Sequence, residues 1–354
     1  MLPLAFLEPY NMNTKRNPAG NRLETISLAR LLSHRFRPRE DLIFPWLRQG
    51  ESAMLWAAPG TGKTLLTLTL AVMVAGGGSV LGWNSPKPRR VLLVDGEMAA
   101  EDLQERVRWL IDTVKDIDTE AADKNLHILS RNWQKPDVDF PDLGDREGKA
   151  GGASGQDVVL RTAQARGAEL VLLDNFSTLA EVADENDAAS MTPTLAFLLR
   201  LKQARIGCVL VHHSGKTGDT YRGSSKLATT FEIILGLRPL EGGVATEGAA
   251  FELQWTKYRR KHNEAVRSRI VRLVKDTEGK PQWNAEATAD DDLRRLVAAV
   301  ETCKFTTQRD IGGNCSPLGA GAGEGGMRDC LDTVTAGTNH LHCASRSSSC
   351  PCHG

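Results

Sequence analysis

The sequence predicts an α/β fold, a mostly parallel sheet sandwiched by helices with an antiparallel C-terminal extension. Three observations predict it. Continuous apolar runs bounded by polar residues recur at Arg90–Asp95 (RVLLVD), Glu169–Asp174 (ELVLLD) and Gly207–His212 (GCVLVH), the pattern of strands buried on both faces. Segments with helical character lie between them, at 99–115, 158–165 and 188–205, so strands and helices alternate as a parallel sheet requires. After the third run come Phe231–Leu237, Phe251–Lys257 and Arg267–Val274, which alternate or run apolar and read as strands closing the domain antiparallel.

In chain order, residues 1–20 contain Asn and Pro and suggest no structure; they are expected to be disordered, with Met12 an alternative start. Leu23–Leu32 looks helical, and Asp41–Trp46 leads into a first strand at Ser52–Trp56. A long helix over Lys63–Ala75 is stopped by Gly76-Gly77-Gly78, because glycine takes the left-handed cap conformation without a Cβ penalty. The 99–115 helix shows its apolar face at Leu103, Val107, Leu110 and Ile111. Leu126–Leu129 is a short strand, 137–155 a Gly/Asp-rich loop, and 214–230 a polar, Gly-containing loop expected to move. Glu278-Gly279-Lys280-Pro281 turns the last strand. No internal repeat is present.

The domain is expected to span 21–286. Residues 287–311 form a linker and an acidic-capped helix at Asp290–Thr302, followed by Phe305–Ile311 as the possible start of a winged helix. Residues 312–354 are rich in Gly, Ser and Cys with little apolar periodicity. Such a tail cannot bury a core and reads as disordered, or as the product of a reading-frame shift near Gly312.

With 44 basic and 44 acidic residues the chain of 354 residues has a formal net charge of zero. It does not advertise nucleic-acid binding as a whole, although a local patch can do that work in an oligomer. No run approaches the ~20 apolar residues of a membrane helix, and Met1–Leu7 lacks the basic flank of a secretion signal. A cytoplasmic protein without membrane partners is expected. Of seven cysteines, only Cys208 precedes Cys303; an odd number without a leader argues against a disulfide framework. His340, His342, Cys343, Cys350, Cys352 and His353 do not have the paired spacing of a zinc site.

The stretch Ala57-Ala58-Pro59-Gly60-Thr61-Gly62-Lys63-Thr64 lies between the first strand and the long helix. In that context a Gly-rich turn wraps a phosphate. Its N–H groups and the helix dipole favour an anion, and Gly60 and Gly62 let the backbone come close. Ala58, Pro59, Gly60, Thr61, Gly62, Lys63, Thr64 and Leu65 are the expected nucleotide-binding residues. Ala57 replaces the usual first glycine. Lys63 would reach the β- and γ-phosphates and the Thr64 hydroxyl would ligate Mg²⁺, so ATP and Mg²⁺ are the expected cofactors. Asp174 closes an apolar strand, where a second metal-binding acid sits in such proteins; a strand-end cap is the competing reading, outweighed by the phosphate loop upstream. Glu97 is a candidate to polarise the attacking water, with Asp95 a competitor. His212 and His213 end the third run; alternation points one to each face, and His213 is favoured as the γ-phosphate sensor.

Taken together, APGTGKT, DGEM, LLDN, VHHSGK and YRGSS, in this order and spacing, resemble the RepA-like branch of the RecA/DnaB ATPases, ring-forming replicative helicases of plasmids and phages and their relatives. The resemblance covers roughly Pro38 to Asn284. It implies a RecA-like P-loop NTPase fold, a hexameric ring of identical subunits, and single-stranded DNA as partner. It also implies roles: Lys63 and Thr64 on phosphates and Mg²⁺, Glu97 as catalytic carboxylate, Asp174 as the Walker B acid, and His212-His213 as the family's His motif. Arg222 precedes Gly-Ser-Ser as the family's arginine does. Lys257-Tyr258-Arg259 resembles the Lys-x-Arg that DnaB-type helicases send across the subunit interface. Arg222, Lys257 and Arg259 are therefore candidates to act in trans, with a solvated basic hairpin at Arg259–Lys261 as the competing reading. Lys216, Arg222 and Lys226 in the 214–230 loop are candidates for contact with DNA phosphates, against a lid that never meets nucleic acid. The reading is Mg²⁺-dependent ATP hydrolysis coupled to translocation on single-stranded DNA. The alternatives are a non-unwinding regulatory or recombinase-like ATPase and an inactive nucleotide-binding copy.

Overall fold

Arg39 opens the unit that carries the phosphate loop; the chain divides into Met1–Pro38 and Arg39–Gly354. The structure is a computed structural model that describes residues 24–145, 148, 153–181, 192–214, 229–240, 248–260, 263 and 266–288. In the first unit the described part holds one short helix, α1 (Leu28–Ser33), whose start is capped by the Ser27 hydroxyl accepting from Arg30 N. The expectations for 1–20, for 312–354 and for nearly all of 287–311 lie outside the described residues.

The second unit begins with a small hairpin of β1 (Asp41–Ile43) and β2 (Leu47–Arg48), then β3 (Ser52–Ala57) and α2 (Lys63–Gly76). A second small hairpin, β4 (Ser79–Val80) and β5 (Trp83–Asn84), leads to β6 (Val91–Asp95), α3 (Ala100–Ile111), α4 (Thr119–Asn125) and β7 (Leu126–Ser130). There follow α5 (Gly155–Arg166), β8 (Leu170–Asp174), α6 (Phe176–Leu179), α7 (Thr192–Gln203) and β9 (Gly207–His213). Four strands finish the described chain: β10 (Ile233–Pro239), β11 (Ala249–Tyr258), β12 (Arg269–Lys275) and β13 (Pro281–Ala287).

Among the described residues nine strands form one sheet in the order β13-β12-β11-β10-β3-β9-β8-β6-β7. From β10 to β7 every pair is parallel. From β10 to β13 every pair is antiparallel. The fold is the α/β class that the sequence predicts, a mostly parallel sheet covered by helices with an antiparallel C-terminal extension. Within this sheet one strand is not expected from the sequence: β13, beyond the 278–281 turn; the short strands β2, β4 and β5 of the two small hairpins are not expected either. The signal of β13 is brief, because only Pro281 and Trp283 alternate inward before the strand becomes exposed.

Strand residues alternate between two apolar layers, as the pleat dictates. Leu55, Leu93, Leu172 and Val209 join α2, α3 and α4 in one layer. Trp56, Leu92, Leu173 and Leu210 join α5, α6 and α7 in the other. α2 is buried nearly all round, so its sequence is apolar without a polar stripe. Its C-terminus is Gly77, with φ 74° and its N–H donating to Met73 O, the stop expected from the glycine run. α5 starts earlier than its apolar periodicity indicates, because the Ser154 hydroxyl caps it by accepting from Asp157 N at 3.1 Å. A parallel block puts all its strand C-termini at one end, where ligands sit in such sheets. Here that end carries Ala57, Asp95, Ser130, Asp174 and His213.

Candidate functional site

At the end of β3 the chain turns through Ala58–Gly62 into α2. Gly60 and Gly62 have φ of 76° and 111°, a region open to glycine and strained for other residues. At Gly62 a Cβ would also lie 2.6 Å from the Ala249 Cβ of β11, so the turn packs on the antiparallel extension only with glycine there. Gly62 is the N-cap of α2 and no side chain caps this end, which leaves the first helical N–H groups for an anion or water. Lys63 is buried, and its ammonium donates to Ala57 O at 3.1 Å and Ala58 O at 2.9 Å. Burial lowers the Lys63 pKa, opposed by the charges of Asp174 and Glu97. The Thr61 hydroxyl braces the turn by donating to Ala58 O at 2.9 Å.

Asp95 and Asp174 are register partners at the ends of β6 and β8. Asp174 is buried, beside Thr64. Burial pushes its carboxyl up to about 7; the Thr64 hydroxyl and Lys63 pull it down, while Asp95 and Glu97 push it further up. The peptide that follows, Asp174–Asn175, is cis. Thr64 and Asp174 thus meet, a hydroxyl and a carboxylate that fit a hard cation. No group of three His, Cys, Asp or Glu among the described residues could hold a metal alone. Phosphate oxygens and water would complete the shell, as Mg²⁺ prefers.

The two acids of the 95–97 turn separate by environment. Asp95 is buried and accepts from Met98 N at 3.2 Å and the Ser130 hydroxyl at 3.2 Å. Burial raises its pKa, and these hydrogen bonds oppose the rise. Its carboxylate builds the turn. Glu97 is exposed, and its Oε2 accepts from Asn175 Nδ2 at 2.6 Å. Its backbone is held from another side: Asn132 Nδ2 donates to Glu97 O at 3.1 Å and Met98 O at 2.9 Å. Gly96 lets the turn approach α6, since a Cβ there would lie 2.4 Å from Thr178 Oγ1. Sequence patterning gives Asn175, Asn132 and Ser130 no role. Asn175 stands in the LLDN run, but nothing in one dimension pairs it with Glu97.

β9 separates the tandem histidines. His212 is fully buried and meets the Phe176 ring edge-on at 5.2 Å, in the α5–α7 layer. His213 is half-buried, the register partner of Ala57, and by alternation shares the α2 face with Val209 and Val211. The next residue, Ser214, donates its N–H to Ala57 O at 2.9 Å, the carbonyl that Lys63 also holds. Of the pair, His213 is the one beside the phosphate loop.

The basic candidates of β11 lie elsewhere. Ile233 pairs with both Tyr258 and Ala53, so Lys257, Tyr258 and Arg259 sit at the start of β3, the opposite end from its phosphate loop. Arg259 donates to Thr229 O at 2.6 Å and approaches Glu232 at 3.8 Å. Burial lowers the Lys257 pKa, with Arg259 adding to the fall and Glu232 opposing it. Arg260 donates to Trp46 O and to Glu51 Oε2 at 3.0 Å, beneath the Tyr258 ring. This corrects the reading of Arg260 as part of a solvated hairpin: it anchors the strand end to the β1–β2 region. Lys216, Arg222 and Lys226 lie outside the described residues.

A family model for the AAA domain matches residues 17–219. No curated protein matches the chain. Among solved structures, a KaiC-like protein from Pyrococcus horikoshii OT3 is similar at 14% identity and a TM-score of 0.45, covering 69% of this chain and 93% of that one. The flagellar accessory protein FlaH from Methanocaldococcus jannaschii is similar at 12% identity and a TM-score of 0.44, covering 68% and 91%. The family match runs from before β1 through β9, over Lys63, Thr64, Glu97, Asp174 and His213, more than half of the sequence. The chain belongs to the AAA domain family.

Proposed function

We propose that this protein hydrolyses ATP with Mg²⁺ as a ring-forming RecA-like ATPase, and that hydrolysis drives movement along single-stranded DNA in replication of plasmid or phage type. The observation that carries the ATPase reading is the convergence of Lys63, Thr64, Asp174 and Glu97 at one end of the parallel sheet, from three separate strand ends. Lys63 and the N–H groups of the turn hold the phosphates. Thr64 and Asp174 would hold Mg²⁺, which neutralises charge on the β- and γ-oxygens. Glu97 orients a water and takes its proton as the water oxygen bonds the γ-phosphorus and the bond to the bridging oxygen breaks. His213 stands beside the loop to report the γ-phosphate to the 214–230 segment.

The ring is supported by where the basic residues are. Lys257 and Arg259 lie at the opposite end of β3 from their own phosphate loop, so a nucleotide they serve is a neighbour's, with Arg222 the other candidate for that task. An arginine supplied in trans contributes ~10³–10⁵ in rate where it is used, so the isolated subunit is a weak ATPase. The DNA role rests on the motif series and on Lys216, Arg222 and Lys226. A motor on replicating plasmid or phage DNA acts in the cytoplasm, and that site of action belongs to this reading. No helix among the described residues is long and apolar enough to cross a membrane.

The test is ATPase rate against protein concentration, with and without single-stranded DNA, for the full chain and Lys63→Ala. The motor reading expects a rate per subunit that rises cooperatively with concentration and again with DNA, and that Lys63→Ala abolishes. A rate flat in both variables removes the motor. Stimulation by DNA without strand separation selects a regulatory ATPase instead.

A further inference from the structure

We infer that Asn175 is a positioning residue for hydrolysis, holding one oxygen of the Glu97 carboxylate so that the other is free to take the proton of the attacking water. The inference rests on Glu97 as the carboxylate that activates water, and it gives a role to Asn175, which the LLDN run contains without assigning it one.

The geometry fixes the orientation of the amide. Asn175 is 4% exposed. Its Oδ1 accepts from Thr178 N at 3.3 Å, and its Nδ2 donates to Glu97 Oε2 at 2.6 Å. A backbone N–H can only donate and an ionised carboxylate can only accept, so a flipped amide would lose both bonds. The backbone of Asn175 is itself locked, its carbonyl accepting from the Thr178 hydroxyl at 3.1 Å and from Leu179 N at 3.1 Å. A short bond to a charged acceptor is among the stronger hydrogen bonds a protein makes.

Glu97 needs such a partner. It is exposed on a turn, and a free glutamate side chain samples many rotamers, only a few of which present an oxygen to a water beside the γ-phosphate. Asn132 fixes the backbone at 97–98; Asn175 fixes the carboxylate. Because Asn175 follows Asp174 directly, the metal-binding acid and the holder of the water-activating acid move as one piece. The charge of Glu97 acts on both Lys63 and Asp174, and Asn175, which follows Asp174, is the residue that holds its carboxylate.

The same residue caps α6, and the test must separate the two roles. Asn175→Asp keeps the capping oxygen and removes the donor; Asn175→Ser does the same with a short neutral side chain that cannot reach Glu97. Steady-state ATPase kinetics, binding of a fluorescent ATP analogue and thermal melting are measured on the full chain and both variants. The expected result is a kcat at least ten-fold lower in both, with KM and analogue affinity within two-fold of the parent and an unchanged melting temperature. Either variant that folds and keeps the parent kcat overturns the inference, as does a loss that appears in KM or in melting temperature rather than in kcat. If the parent itself shows no Lys63-dependent hydrolysis, it is the ATPase reading that fails, which is a separate result. A Glu97→Ala chain with parental kcat overturns the role of Glu97 and the inference with it.

Discussion

Gly62 shows how much a single residue decides at the phosphate loop. Its φ of 111° and the 2.6 Å that would separate an added Cβ from Ala249 act together. The first constraint alone costs roughly 1–2 kcal/mol for an L-residue; the second pushes the turn off β11. Gly62→Ala is expected to weaken binding of a fluorescent ATP analogue at least ten-fold while leaving the far-ultraviolet circular dichroism of the sheet in place. Binding within two-fold of the parent would show that the turn adapts without glycine. Lys63 and Thr64 are legible from the motif, because residue type and spacing carry that chemistry. The resemblance favours Glu97 over Asp95, but residue type alone does not separate two acids on one turn; the environment does, since Asp95 is buried and accepts from Met98 N and the Ser130 hydroxyl while Glu97 is exposed.

Among the elements, β13 is the one whose contribution is hidden. It brings Trp283 against α2, where the indole N–H donates to Thr69 Oγ1 at 3.0 Å and the ring packs at a tilt on Phe251, 6.0 Å between centroids. The helix that starts at the phosphate loop is therefore covered at its middle by the last described strand. Trp283→Ala removes a buried aromatic and a hydrogen bond, and is expected to cost about 3 kcal/mol in urea unfolding. A loss under about 1 kcal/mol, the range of an ordinary surface change, would mean that β13 is an appendage that α2 does not need. The central strands β6, β8 and β9 are legible as apolar runs because both their faces are covered. β13 is not, because an edge strand that buries only Pro281 and Trp283 has almost no pattern to read.

For the whole molecule, one ionic cluster joins the entry hairpin to the sheet. Buried Arg89 bonds Glu40 at 2.8 Å, Glu169 at 2.7 Å and Asp41 O at 3.0 Å, and Lys87 adds a contact to Glu40 at 2.7 Å. The hydrogen bond from Lys87, then that from Arg89, holds the Glu40 carboxyl down at about 2 from its ordinary 4.5. A carboxyl lowered on folding stabilises the native state above its unfolded value, and that contribution is lost as pH falls from 4.5 toward 2. Solvent reaches this cluster, so the net worth is about 1 kcal/mol. Glu40→Gln should be less stable than the parent by about that much at pH 7, and the two unfolding curves should converge on acidification toward pH 2. A constant gap across that range would show that Glu40 acts through packing.

Local patterning along the chain is enough for the fold class, the phosphate loop and the order of the strands that end in Asp174 and His213. Each of these is a local property: apolar runs long enough to be buried, glycines where the backbone must turn, an acid or histidine where the run stops. Long-range packing alone establishes that Glu97 is held by Asn175 and that Lys257 and Arg259 lie at the opposite end of β3 from the loop; it also puts His213, the histidine the sequence favours, beside the loop. Those facts depend on which strands are neighbours and in what register, because pairing β6 with β8 and β9 with β3 is what brings residues 78 positions apart within hydrogen-bond reach. A one-residue slip would exchange the faces of both histidines, and no local pattern in the chain records that choice.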